Sequence, residues 1–397
     1  MASFSAEAQG RAAAELAASL SDWTRPTFLF GCTPPGEGTD DAKAALIAQK
    51  FADRGRVLAV DGYIVYDVQD ESVRTDTRRP FPYRKLVEPS GFASQLGNAS
   101  HKGCVVYKAV TNMASPAAFE EWLDMAVKQH GHRAINVVGA PSARANHTGP
   151  STKEASAMVA GRNGVHFGAV CIAERHLSKR NEHSVLAKKA SWGAEWFITQ
   201  GIYDPEPTID VILAYAAQCE AEGTRPRKII LTFTPCGRRK TLEFIKWLGM
   251  HVPQAVEDRI FADQTEVKRP MTAVALSCAL LCEHLQTILA RTKGCGVPLG
   301  INVESVSGYR DEIDSTHDLF RSLQAILLDE LCASWVIHWS RLPKVAAAAS
   351  ACSDAAAKDC GLSDQTRRVY ALVSDSPSRL VVVVGLAALA GFALGRA

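Results

Sequence analysis

The chain has 397 residues, 47% of them hydrophobic and 22% charged, with a formal net charge of +2. This is an ordinary globular composition, long enough for one large domain with appendages. The near-neutral balance removes any bulk electrostatic case for nucleic acid, and Arg78-Arg79 and Arg238-Arg239-Lys240 are too short to act as basic arms.

Residues 1–26 predict an N-terminal amphipathic helix (AEAQGRAAAELAASL). Glu7, Glu15 and the lack of an apolar core argue against a secretory signal, and the acids also argue against a mitochondrial presequence. From 27 to 305, short β-rich runs alternate with longer helical patterns, which predicts an α/β protein with a parallel sheet. Strands are read at 27–32 (TFLFGC), 62–68 (GYIVYDV), 104–110 (CVVYKAV) and 134–139 (AINVVG). Four more are read at 166–172 (HFGAVCI), 196–200 (WFITQ), 229–234 (IILTFT) and 298–303 (PLGINV). Several runs are almost wholly apolar, as strands buried on both faces must be. Helices are expected between them, for example at 115–129 and 208–222. Eight such units fit a closed (β/α)8 TIM barrel over 27–345 better than an open sheet, and no GxGxxG follows the first strand.

The segment 235–297 is long for one crossover and holds two helical stretches, GRRKTLEFIKWLGMHVPQAV and MTAVALSCALLCEHLQTILA. Residues 346–378 are Ala-rich and of low complexity, and read as a linker. Between Arg379 and Arg396 lie 16 residues without a charge. As a helix they would span about 24 Å. Being apolar all round, this C-terminal hydrophobic helix over 379–397 lacks a docking stripe and reads as a transmembrane tail anchor rather than a docked helix. The 11 cysteines include no CxxC pair and no convergent zinc set, which suggests a reducing compartment: a cytosolic barrel tethered to an intracellular membrane. The oligomeric state stays open, and a homo-oligomer is compatible with the sequence.

In a barrel, functional groups gather at the C-terminal strand ends. That rim receives Asp67, Lys108, Thr111, Ala140, Gln200 and Glu304. Lys108 reads as a phosphate contact, a salt-bridge partner of Asp67 or, with a lowered pKa, a Schiff-base nucleophile. Gln200 ends an apolar strand, where a buried amide must find partners; it suits the alternating donors and acceptors of a pterin, or a structural role. The loop at 173–183 (AERHLSKRNEH) carries two acids, two histidines and three cations, which suit a dinucleotide or a solvated loop.

The block FGAVCIAERHLSKRNEHSVLAKKASWGAEWFITQGIYD resembles the strand-five to strand-six region of methylenetetrahydrofolate reductases. Weaker likeness covers FLFGCTPPGEG, RAINVVGAPS and IILTFTPCGRRKTLEFIKWLGMHVP, so that the resemblance spans about 27 to 309. It implies a flavoprotein barrel binding FAD. NAD(P)H reduces the flavin, which reduces 5,10-methylenetetrahydrofolate to the 5-methyl form, in one-carbon and methionine metabolism. By position it implies that His176, Glu182 and Lys189 contact the FAD ribityl and ADP portions, that Gln200 meets pterin and nicotinamide, and that Thr111 lies near the flavin. Two family acids are missing: Gly31 stands where the strand-one Glu is expected, and Ala140 where an Asp lies between flavin and pterin. Asp67, Asp70 or Glu304 would have to supply the carboxylate. The alternative is a catalytically divergent, membrane-anchored barrel that binds folate or flavin, or serves as a scaffold, without reductase activity.

Overall fold

The computed structural model describes residues 6–71, 75–110, 113–140, 148–261 and 269–340. Thr111, the linker at 346–378 and the tail at 379–397 lie outside them. The chain divides into one unit over Met1–Gln324 and a second over Ala325–Ala397. The barrel belongs to the first.

Eight parallel strands close in sequence order: β1 (Phe28–Cys32), β2 (Gly62–Val65), β3 (Gly103–Ala109), β4 (Ala134–Val138), β5 (His166–Cys171), β6 (Trp196–Gly201), β7 (Lys228–Phe233) and β8 (Leu299–Val303). β1 pairs with both β2 and β8, which completes the ring. All eight fall where the apolar runs predict them; β2 stops short of 68 and gives way to a long connection. The helices are α1 (Ala6–Ser21), α2 (Asp41–Gly55), α3 (Pro89–Ser100), α4 (Pro116–Asp124), α5 (Thr152–Ala160), α6 (Glu174–Lys179) and α7 (Glu182–Ser191). Then come α8 (Pro205–Ala221), α9 (Arg239–Trp247), α10 (Gln254–Ile260), α11 (Arg269–Thr292) and α12 (Arg310–Ser340). Ser115 caps α4 through its hydroxyl and Pro116 occupies the first turn, where its missing N–H costs nothing. The expected helix at 115–129 is α4 continued by a π turn, Met125–Gln129.

The N-terminal helix is part of the barrel. Leu16 and Leu20 of α1 join Leu29, Ile64, Val105 and Ile230 in the core, which seals the N-terminal end. A side chain at Gly62 or Gly103 would collide with Leu16, at 2.7 and 2.8 Å, so glycine at the start of β2 and β3 admits the helix. Beside it, Lys228 Nζ donates to Ser19 O (2.6 Å) and Thr27 Oγ1 (2.7 Å). Gly168 makes room for the indole of Trp196 at mid-height: a Cβ there would lie 2.0 Å from Nε1.

Candidate functional site

Strand alternation sets which residues face the axis. Leu29, Ile64, Val105, Tyr107, Ala134, Ile198 and Ile230 belong to the core cluster, and Tyr66 packs against it. Two residues further along, the inner face turns polar. Asn136, Thr232 and Asn302 are almost fully buried, at 0, 1 and 0% exposure. Asn302 Nδ2 donates to Tyr66 Oη (3.0 Å) and Thr232 Oγ1 (3.3 Å), and the Tyr66 and Tyr107 rings meet edge-on at 4.9 Å. Several polar atoms here are shut from solvent and have no partner: both amide atoms of Asn136, Asn302 Oδ1, Thr234 Oγ1 and Glu304 Oε2. Buried polar groups are normally paired, so such a cluster at a barrel mouth marks a place for a ligand with matching donors and acceptors.

Glu304 is the acid of this site. Burial pushes its carboxyl above the usual range, opposed by hydrogen bonding with Tyr66 and Asn302. Burial, and then the Glu304 charge, raise the Tyr66 and Tyr107 phenols in turn. Gly31 lies alongside. A Cβ there would come within 2.9 Å of both Glu304 Cβ and Tyr66 Cε2. Space that a strand-one side chain would take is therefore filled from β2 and β8.

Asp67 goes elsewhere. Tyr66 takes the inward position, and Asp67 Oδ2 accepts from Ala109 N (2.9 Å) and lies 3.8 Å from Lys108 Nζ. Lys108 in turn sits 4.9 Å from the Trp122 ring centre, on α4. Asp67 and Lys108 thus share the helix-facing seam of β2 and β3, away from Glu304. Burial raises the Asp67 carboxyl and Lys108 pulls it back. Gln200 stays on the mouth side of β6, half-buried, with Nε2 donating to Leu248 O (3.2 Å). Ala140 stands partly exposed just past β4.

The expected dinucleotide contacts turn into the protein. Glu182 is fully buried and accepts from Ile172 N (2.9 Å). Lys189, 8% exposed, donates to Val170 O (2.5 Å). His176, 3% exposed, meets the His183 ring at 5.3 Å. Burial raises the Glu182 carboxyl and lowers the Lys189 ammonium, and each charge partly offsets the other's shift. Glu182 Oε2 and His176 Nδ1 keep no partner. As placed, these residues hold the end of β5 and do not fit as contacts to a flavin.

Sequence reasoning missed the roof. Residues 75–88 of the β2–α3 connection pack against α9 and the start of α12 and are tied to the β1–α2 loop. Phe81 packs edge-on against Phe244 (5.3 Å) and Tyr309 (6.3 Å), and Trp247 Nε1 donates to Thr77 O (2.9 Å). Arg79 lies over Phe244 (5.1 Å), Trp247 (5.2 Å) and Tyr83 (5.5 Å). The far end of this strap is tied to the β1–α2 loop by Glu37 N→Lys85 O (2.8 Å) and Val87 N→Pro35 O (2.9 Å). The polar residues inside the mouth did carry a signal: Asn136 and Asn302 are lone amides in apolar strands.

No protein-family model and no curated protein matches the chain. Among solved structures, it is similar to an uncharacterized protein from Clostridium thermocellum that binds two copies of 5-methyl-5,6,7,8-tetrahydrofolic acid. The two are 25% identical with a TM-score of 0.63, over 76% of this chain and 96% of that one. Oxaloacetate acetylhydrolase is 11% identical with a TM-score of 0.41, over 74% of this chain and 80% of that one. For 2,3-dimethylmalate lyase the figures are 13% and 0.39, over 80% and 98%.

Proposed function

We propose that the mouth of this TIM barrel binds a reduced folate, and that the protein uses NAD(P)H to reduce the 5,10-methylene form to the 5-methyl form. The observation that carries this is Glu304. A half-buried carboxyl just past β8, with one oxygen shut from solvent and unpartnered, occupies, with Tyr66, the space beside Gly31 where the reductase resemblance expects an acid from strand one. Support for the ligand is the likeness to the barrel that binds 5-methyltetrahydrofolate.

In this reading the pterin sits between Tyr66, Gln200 and Glu304. The Gln200 amide supplies one donor and one acceptor to the pterin edge. Protonated Glu304 gives its proton to N10 as the five-membered ring opens. A hydride from NAD(P)H reaches the methylene carbon and leaves NAD(P)+. Solvent then reprotonates Glu304. A raised carboxyl pKa suits this task, since a general acid works best when its pKa lies near the working pH.

The test is calorimetric titration with 5-methyltetrahydrofolate, together with NAD(P)H oxidation dependent on methylenetetrahydrofolate, with and without FAD. Tight binding and turnover are expected, and Glu304→Gln should lower turnover by about 10²–10⁴-fold with little change in binding. Absence of folate binding would sink the proposal. Binding without turnover would leave the second reading, a non-catalytic folate barrel, which the inward-turned His176, Glu182 and Lys189 favour. In either case 379–397 is proposed to anchor the cytosolic barrel to a membrane, which fluorescent fusions with and without those residues would check.

A further inference from the structure

We infer that Arg79 is a carboxylate-binding subsite at the edge of the mouth, taking the glutamyl tail of the folate. This rests on the folate reading above. Arg79 belongs to the stretch RRPFPYRK, in which two prolines stiffen the strap by fixing their own φ. Its guanidinium lies among the rings of Tyr83, Phe244 and Trp247. Its Nε and Nη1 are shut from solvent with no hydrogen-bond partner. Among the described residues no carboxylate pairs with it, whereas Arg238 and Arg239 of the neighbouring loop and α9 have theirs in Asp311 and Glu257.

A cation serving only to pin the strap onto α9 would keep its ring contacts and leave its N–H groups in water. Here the aromatic packing has removed water from two nitrogens and supplied no acceptor, which is costly unless an anion completes the site. The guanidinium is planar and delocalised, and its fork of donors matches a carboxylate. Lys240 Nζ, 4.8 Å from the Phe81 ring centre and without an ion pair among the described residues, adds positive charge on the same side.

Location decides the ligand. Trp247 of the cage immediately precedes Leu248, whose carbonyl holds the Gln200 amide. The Gln200 contact and the Arg79 cage thus share adjacent residues at the end of α9, so a ligand with its ring against Gln200 would have Arg79 close by. Reduced folates have that form: a flat ring at one end and carboxylates at the other.

The experiment compares, on the full chain, the Kd of 5-methyltetrahydrofolate with that of 5-methyltetrahydropteroate, which lacks the glutamate. The wild type is expected to favour the glutamyl ligand by about 10- to 100-fold, the worth of a charge-assisted contact. Arg79→Gln should abolish that preference and leave pteroate affinity unchanged, which also shows that the variant is folded. Arg79→Lys, which keeps charge without the planar fork, should retain only part of it. If the wild type binds both ligands and Arg79→Gln leaves their ratio unchanged, the subsite is refuted while the folate reading stands. If neither ligand binds the wild type, both fall.

Discussion

The two ends of the barrel treat buried polar groups in opposite ways. At the N-terminal end, Lys228 is 2% exposed, and its ammonium donates to the Ser19 carbonyl and the Thr27 hydroxyl. Thr27 Oγ1 in turn donates to Ser19 O (2.8 Å). At the C-terminal end, Asn136, Asn302, Thr234 and Glu304 bring polar atoms to the axis and leave them unanswered. The closed end gives the Lys228 ammonium two acceptors, whereas the open end gathers several polar atoms without partners. On the folate reading, the closed end serves stability and the open end recognition.

That contrast can be broken experimentally. The largest effect is expected from Gly31→Glu. In the sequence alone this change restores a missing acid. In the structure it drives a side chain into Tyr66 and Glu304, and it should lower folate affinity by more than about 100-fold, read by calorimetry, with a loss of about 1–3 kcal/mol in stability from overpacking. Leu16→Ala, at the closed end, should do the reverse. It removes a side chain 1% exposed and should cost about 2–5 kcal/mol in denaturant unfolding while leaving the folate Kd unchanged.

A pH dependence separates the ends further. Burial lowers the Lys228 ammonium to about 8. Between about 8 and the unfolded value of 10.5, the unfolded chain binds more protons at this site than the folded one. The contribution of Lys228 is therefore most favourable above 10.5 and is lost as the pH falls toward 8. Unfolding of Lys228→Met, compared with wild type across this window, should lack that slope. Glu304 has the opposite sign. Its raised folded pKa makes its contribution most favourable below the usual carboxylate range, with the loss coming as pH rises through the raised value. Glu304→Gln should remove that loss from unfolding curves. The smallest effect is expected from Asp67→Asn: facing Lys108 and not the axis, it should change folate turnover only a few-fold in the same NAD(P)H assay.

The strands were legible because a parallel strand buried on both faces must be an apolar run, whatever its neighbours. The same property hid the phase of each strand. In GYIVYDV nothing local says whether Tyr66 or Asp67 faces the axis, and only packing in the closed ring chooses Tyr66. Glu304 was legible as a lone acid at the end of an apolar strand. Lone amides such as Asn302 gave a weaker version of that signal. The stretch GRRKTLEFIKWLGMHVPQAV, read as one helical piece, is two helices separated at Gly249, which adopts φ +89°, and Pro253, which precedes α10. Arg79 was invisible as a site residue because its cage is made by residues such as Trp247, far away in the chain and brought close only by the strap.

The plug formed by α1 also has a kinetic consequence. With side chains such as Ile64, Val105 and Trp196 filling the axis and Leu16 and Leu20 covering the far end, the described residues leave no passage through the barrel, and a ligand at the mouth would arrive and depart on the same side. A spent ligand and a fresh one cannot pass through in file. On the proposed reduction, the product should therefore compete directly against its own precursor.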